Sequence, residues 1–404
     1  MAEDFPYHGV AARLAAVDPD AYARSRNAIG GRVTRLSPYL THGMLTVPAV
    51  IRAVAATHPL SIADKLVFEL GWREYYQHVW SRLGDAILDD IGAPVWSGRY
   101  AQVLPDDVLS ASSGVAAIDA AVRELYQRGY VHNHARMWLA SYLVHVRKVH
   151  WRAAADWMYG HLLDGDLASN HLSLQWVAGT FSAKPYLFNA DNVARHAPAA
   201  WSCSGTVLDR SYAELDAIAR SGVDPGPEPG RRPAPVAAPE LYGEPPPALQ
   251  AEPPGWCLDP QDAARIAGAT ARLRHPWDLA DPKPGEGPSL GLVHLPFHRR
   301  FRWSAARWRW VMCRMHALCD AVYVGDLGQL VEARAGGPAR VPKPSASDAP
   351  CIETLNPGYA ALLPRLCGQR PIPRQFPNPD TLCRSFSRFW AQVRRETRSL
   401  VADA

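Results

Sequence analysis

Gly129-Tyr130-Val131-His132-Asn133-His134-Ala135-Arg136-Met137-Trp138 is the stretch whose reading decides the fold. Wound as a helix, it sets Asn133, Arg136, Met137 and Ala140 on one face, so that an amide and a cation stand among apolar neighbours. Apolar residues continue at three- and four-residue spacing from Val131 to Tyr159, and the same spacing runs through Ile62 to Leu83 and Gly114 to Gln127, with no strand alternation between them. This spacing predicts a helical N-terminal region. His132 and His134 stand two apart, point in different directions on a helix and make a poor metal pair, so no metal site is expected there.

Three more blocks carry unusual chemistry. In Phe68-Glu69-Leu70-Gly71-Trp72-Arg73-Glu74-Tyr75-Tyr76, the residues Glu69, Trp72, Arg73 and Tyr76 fall at i, i+3, i+4 and i+7, one helical stripe. That stripe suits a ligand, but a packed Trp beside a Glu69 and Arg73 surface pair gives the same pattern. Leu162-Leu163-Asp164-Gly165-Asp166-Leu167-Ala168-Ser169-Asn170-His171 holds two carboxylates around a glycine, yet lacks the further oxygens and closing Glu of a calcium loop. In Gly30-Gly31-Arg32-Val33-Thr34-Arg35-Leu36-Ser37-Pro38-Tyr39-Leu40, hydroxyls beside glycines suit a phosphate, whereas Ser37-Pro38 equally suits a helix start capped by Ser37.

The chain has 404 residues, 48% hydrophobic and 20% charged, the composition of a folded protein of two or three domains. No apolar run reaches the roughly 18 residues of a membrane span, and Met1 to Val10 lacks the pattern of a secretory signal, so no membrane association and a cytoplasmic location are expected. Seven cysteines (203, 257, 313, 319, 351, 367 and 383) without a C-x-x-C pair point to reduced, mostly buried thiols. Residues 1–200 balance 18 Lys+Arg against 18 Asp+Glu, residues 201–285 hold 8 against 12, and residues 286–404 hold 17 against 9. Attraction to a polyanion is therefore expected mainly from the last third.

Eleven prolines between Pro225 and Pro254 make that stretch a linker or a wrapping arm. Beyond it, the apolar runs Gly291 to Leu295 and Ala321 to Gly325 flank a helix capped by Ser304 and running through Cys319, a β-α-β unit. A final helix is expected from Asp380 to about Leu400, with Leu382, Phe386, Phe389, Trp390 and Val393 on one side and Arg384, Arg388, Arg395 and Arg398 mostly on the other. The expected organisation is mainly α: a helical domain over 1–200, a Pro-rich segment over 201–285 and a basic, small α/β region over 286–404.

The four blocks, in this order, resemble the FAD-binding domain of the DNA photolyase and cryptochrome family, from about Tyr22 to Asn189. The resemblance implies an all-helical domain holding a folded FAD. It assigns Tyr22, Arg26, Thr34, Leu36 and Ser37 to the phosphates and ribityl chain, with Val33 where the family usually has Thr. Arg73, Asn133, Arg136, Asp164, Asp166 and Asn170 match positions around the flavin and adenine. Glu69, Trp72, Asn133, Met137 and Trp176 match the cavity that receives a flipped cyclobutane pyrimidine dimer, so they are the residues expected to act on the lesion. Met137 also stands where the (6-4) photoproduct enzymes carry a catalytic His.

The implied function is light-driven electron transfer from reduced FAD to such a dimer, a carbon-carbon lyase acting on damaged DNA, single-stranded DNA included. The alternative is a cryptochrome-like light sensor or a light-independent redox flavoprotein, with a protein partner engaged through the C-terminal region. The chain also departs from the family. It begins directly at the FAD-binding blocks, without the usual N-terminal antenna domain, and the β-α-β unit is either a relocated equivalent or unrelated. Of the three electron-relaying tryptophans, Leu174 stands nearest the flavin, Trp151 in the middle and Val108 at the surface end. After Pro185-Tyr186 the family's arginine-containing insertion is missing, which weakens the expected hold on the DNA backbone.

Overall fold

The structure, a computed structural model, describes residues 4–229, 232–267, 271–282, 284–335, 356–367, 373–397 and 399–400. Its N-terminal half is helical, as the spacing predicts. The helices that matter for the site are Lys65–Leu83, Ala116–Arg128, Asn133–Ser141, Trp151–His161 and Leu167–Ala178. The Ala116–Arg128 helix ends on Gly129, whose φ of 61° suits a residue without a Cβ, and Leu163 donates its N–H back to the Gly129 carbonyl at 2.8 Å.

One expected helical stretch is two helices. Asn133–Ser141 widens into a π turn over Tyr142–Val146 and stops before Trp151. The break has a polar cause. Arg147 pairs with Asp107 at 2.6 Å and Asp224 at 2.8 Å, and Lys148, at a φ of 52°, donates to the carbonyls of His145, Ile218 and Ala219. Partners some seventy residues away in the chain leave no trace in local periodicity.

Among the described residues the C-terminal half contains six strands: β1 (Leu241–Tyr242), β2 (Cys257–Leu258), β3 (Arg272–Arg274), β4 (Ser289–His294), β5 (Trp303–Ser304) and β6 (Ala321–Gly325). β1 and β5 pair antiparallel; the other four form a parallel sheet in the order β2-β6-β4-β3. The β-α-β unit read from the sequence is β4, the helix Ala305–Leu318 and β6, with Ser304 Oγ accepting from Arg307 N at 3.3 Å as the cap. The sheet is wider than that unit. β2 and β3 come from the Pro-rich segment, in runs of two and three residues too short to show alternation. That segment also lies against the helical half, where Glu228 N donates to Ser113 O at 2.9 Å and Val236 N to Ser110 O at 2.8 Å.

The halves meet through Arg307, which is fully buried. Its guanidinium donates to the carbonyls of Tyr159 and Gly165 and lies 4.1 Å from the Trp303 ring centroid. Gly165 is required here, since a Cβ would come 2.5 Å from the Arg307 guanidinium.

The tail returns to the helical half. Glu74 accepts from Gln375 N at 2.8 Å and Phe376 N at 3.0 Å, and His78 Nε2 accepts from Cys383 N at 3.0 Å. The last helix, Phe386–Glu396, is shorter than expected because Ser385 Oγ caps it at Arg388 N; Leu382 precedes it, and Arg398 lies outside the described residues. Its Trp390 ring fills the space over Gly71, where any Cβ would collide. Cys203, Cys319 and Cys383 are buried free thiols and Cys313 is exposed, while Cys351 lies outside the described residues. Among the described residues, no helix is long and apolar enough to cross a membrane.

Replacing Arg307 by Met removes the donors to two buried carbonyls. It should lower the unfolding free energy by about 2–6 kcal/mol, read from urea denaturation, at about 1–3 kcal/mol per orphaned group. Arg307→Lys should recover only part of the loss, because an ammonium lacks the planar fork that reaches both oxygens.

Candidate functional site

The helices enclose a cavity of about 520 Å³, within the size range of cofactor sites. The Lys65–Leu83 helix supplies Glu69, Trp72, Arg73 and Tyr76, so the stripe read from the sequence does line a cavity. Asn133, Arg136 and Met137 come from the next wall, and Asn170, Leu174 and Trp176 from the Leu167–Ala178 helix. Tyr22, Arg26 and Asp164 also line it.

At its base lies the pair of Arg136 and Asp164, with Nη2 and Oδ2 2.8 Å apart. Arg136 Nε donates to Val131 O at 2.7 Å, and the guanidinium sits 5.2 Å from the Tyr130 ring centroid. Asp164 Oδ2 also accepts from Ser37 Oγ at 2.6 Å. Burial by itself would raise the Asp164 carboxyl, but the Arg136 charge, the hydrogen bonds from Arg136 and Ser37, and nearby Arg307 outweigh it and hold the group below its ordinary value. Glu69 behaves oppositely. Burial raises its carboxyl despite Arg26, whose Nε lies 3.4 Å away; its partner is Arg26, not Arg73. Burial pushes His132 down to about 4 and lowers His134, so the positive charge of the cavity rests on arginines.

Two observations test whether FAD fits. Asp164 Oδ1 is buried and has no hydrogen-bond partner among the described residues, which leaves an acceptor for a ligand N–H or O–H. Arg26, Arg73 and Arg136 against Glu69 and Asp164 leave a net positive lining between the aromatic walls Trp72, Tyr76 and Trp176, suited to an anionic ligand with planar rings. Asn170 commits its amide nitrogen to Ala155 O at 2.9 Å, so its oxygen is the end free for a ligand. The residues fit the cofactor.

Four expected residues do not line this cavity. Leu36 is buried, and Thr34 Oγ1 accepts from Leu36 N at 3.4 Å. Ser37 neither caps its helix nor faces the cavity; its hydroxyl acts through Asp164. Asp166 caps the Leu167–Ala178 helix, accepts from Gln77 Nε2 at 3.0 Å and borders an adjoining cavity of about 290 Å³ that Arg73 shares. Val108, read as the surface end of the electron relay, is fully buried. Leu174 faces the cavity, and Trp151 donates its indole N–H to Asp90 at 2.5 Å. Sequence reading missed Ser173, Val177 and Tyr186 in the lining. Extending the helical period from Asn170 finds Ser173 and Val177 at i+3 and i+7, whereas Tyr186 lies in a loop and has no such signal.

Asp164→Asn should cost about 3 kcal/mol of unfolding free energy at neutral pH, since it leaves Arg136 without its counter-charge. The depressed folded value sets the sign of the pH dependence. The contribution is whole above the unfolded carboxyl value of 3.8 and is lost as pH falls from there through the lower folded value. Unfolding curves of the two proteins, separate at pH 7, should therefore converge only in that acid range.

Residues 66–200 match the family model described as the FAD binding domain of DNA photolyase. A deoxyribodipyrimidine photo-lyase of Synechococcus sp. is 32% identical over 193 residues, 45% of this chain and 39% of the relative. That of Streptomyces griseus is 33% identical over 156 residues, covering 37% and 33%, and a chloroplastic/mitochondrial cryptochrome DASH of Oryza sativa subsp. japonica is 31% identical over 169 residues, covering 39% and 28%. The chain thus spans less than half the length of these relatives. A Synechocystis sp. PCC6803 cryptochrome structure aligns at 23% identity with a TM-score of 0.45, over 55% of this chain and 52% of that one. Over residues 66–200 the helical half of this chain is thus similar to the FAD binding domain of DNA photolyase.

Proposed function

We propose that this protein is a light-dependent DNA repair flavoprotein acting on cyclobutane pyrimidine dimers. The observation that carries the reading is one cavity in which Glu69, Trp72, Asn133, Met137 and Trp176 line the same space as Arg136, Asp164 and Asn170. When bound and reduced, FAD would supply the light absorption and the electron that opens the dimer's cyclobutane ring, and would take that electron back once the ring has split. Arg136 offsets negative charge on the ring system, and Asp164 fixes Arg136. Asn170 presents an acceptor that suits a ring nitrogen carrying hydrogen. Trp72 and Trp176 are the planes on which a flipped dimer stacks, and Glu69 and Asn133 bind its base edges. Tyr22, Arg26 and Arg73 hold the remainder of the cofactor.

Purified protein should release FAD on heating at about one per chain, and chemically reduced protein under blue light should split thymine dimers, faster in single strands than in duplex. A single strand spares the unstacking cost of flipping. Trp72→Ala should weaken dimer binding by about 1–3 kcal/mol, the worth of one base-aromatic stack, measured on protein reloaded to the same FAD content. Full reduction without splitting in either substrate would favour the sensor or redox reading.

Photoreduction by external thiol should be slow, because Leu174, at 3% exposure and lining the cavity, has no redox chemistry to offer and Val108 is buried aliphatic. Leu174→Trp should accelerate the first electron step, from the new indole to the excited flavin, with Trp151 then refilling that indole, seen by transient absorption. Fast photoreduction of the natural sequence, unaffected by replacing Trp138, Trp151 and Trp157, would show that the donor lies elsewhere.

A further inference from the structure

The proposed repair function lacks a feature it needs: something to hold the phosphate backbone of the strand whose lesion enters the cavity. The segment after Pro185-Tyr186 holds no arginine cluster that could do so. The opposite end of the chain does. Residues 373–397 hold arginines at 374, 384, 388, 394 and 395 against Asp380 and Glu396. Arg384, Arg388, Arg394 and Arg395 are exposed, and none of the four forms an ion pair with another described residue. Arg388, Arg394 and Arg395 line an open surface groove together with Thr381 and Gln392, further hydrogen-bonding side chains. Arg388, Gln392 and Arg395 fall at i, i+4 and i+7, a stripe of about 10 Å at 1.5 Å per residue. At about 3.4 Å per nucleotide of a stacked, B-like strand, that covers about three phosphates.

The position of this helix ties the groove to the cavity. Phe386, in its first turn, stacks on Trp72 with ring centroids 4.0 Å apart and planes 9° from parallel. Trp72 lines the cavity and Phe386 does not, so the helix backs the wall on which the lesion would stack. Its arginine face begins two residues further on. The apolar face is already used: Phe386, Phe389, Trp390 and Val393 are 6%, 1%, 6% and 0% exposed. A helix that binds a lipid surface inserts that face, so only charge and hydrogen bonding remain for a partner.

We infer that the exposed face of the Phe386–Glu396 helix is a phosphate grip for a single DNA strand whose lesion enters the adjoining cavity. The inference rests on the repair reading for the identity of the strand, while the grip itself rests on charge and geometry. It places the backbone contact at the C-terminal end of the chain, on an element joined to the cavity through Trp72.

The test uses full-length, FAD-loaded protein and a fluorescent single-stranded oligonucleotide, with and without one thymine dimer, titrated by anisotropy at several salt concentrations. Replacing Arg388, Arg394 and Arg395 together by Ala should reduce the slope of log K against log salt by about 2, at about 0.7 per lost phosphate contact. Flavin content and thermal unfolding should stay unchanged, and the triple Lys variant should keep most of the slope. Trp176→Ala, at the other stacking plane and away from this helix, should do the converse, losing the preference for the dimer while keeping the slope. Equal affinity and slope in the triple Ala variant would overturn the grip, as would natural protein that binds phosphatidylserine vesicles but no oligonucleotide. Loss of slope in the Ala variant alongside no dimer preference in the natural protein would sustain the grip and sink the repair reading instead.

Discussion

Three distant segments of the chain hold the five residues Leu162 to Asp166. From the N-terminal segment, Ser37 donates to the Asp164 carboxylate, Thr41 to the Asp164 carbonyl at 3.3 Å, and a ring nitrogen of His42 lies 2.9 Å from Leu163 O. From the middle, Gly129 O accepts from Leu163 N and Arg136 pairs with Asp164. From the C-terminal half, Arg307 donates to Gly165 O at 2.6 Å. A five-residue loop cannot satisfy its own backbone, so its buried carbonyls and carboxylate recruit partners from three distant segments. The positions of Asp164 on the cavity floor and of Asp166 at the cap of the next helix follow from that fastening.

What the sequence made legible is what depends on neighbours in the chain or on a residue set already known to act together. The stripe Glu69, Trp72, Arg73 and Tyr76 faces the cavity because helical spacing fixes direction, and Arg136 meets Asp164, two residues that the family resemblance put around one cofactor. The same spacing ran through Lys148 without registering that its ammonium would be taken by carbonyls near residue 218. Ser37 shows the point in miniature: a serine before a proline suits a cap, but a buried carboxylate over a hundred residues away competed for the hydroxyl and won. Strands of two and three residues carry no period to detect, so β2 and β3 could only be found from the sheet they complete.

Gly71 and Gly165 were equally opaque. Each reads locally as a weak spot in a helix or a turn, yet each is the place where a large side chain from the far end of the chain comes in, Trp390 in one case and Arg307 in the other. A glycine that admits a distant side chain looks, from its own neighbours, like one that merely permits a bend.

The Lys65–Leu83 helix has two working faces, one turned to the cavity and the other, with Gly71, Glu74 and His78, covered by the tail. Glu74 waits 302 residues for its partner at Phe376. At roughly 5–20 residues per second of synthesis, that interval lasts on the order of 15 to 60 s. During it, a buried-type carboxylate and an apolar groove stand open on the nascent chain. The wall behind Trp72 is therefore finished only once residues 375–396 have been made, and until then this half of the chain has a long exposure to chaperones.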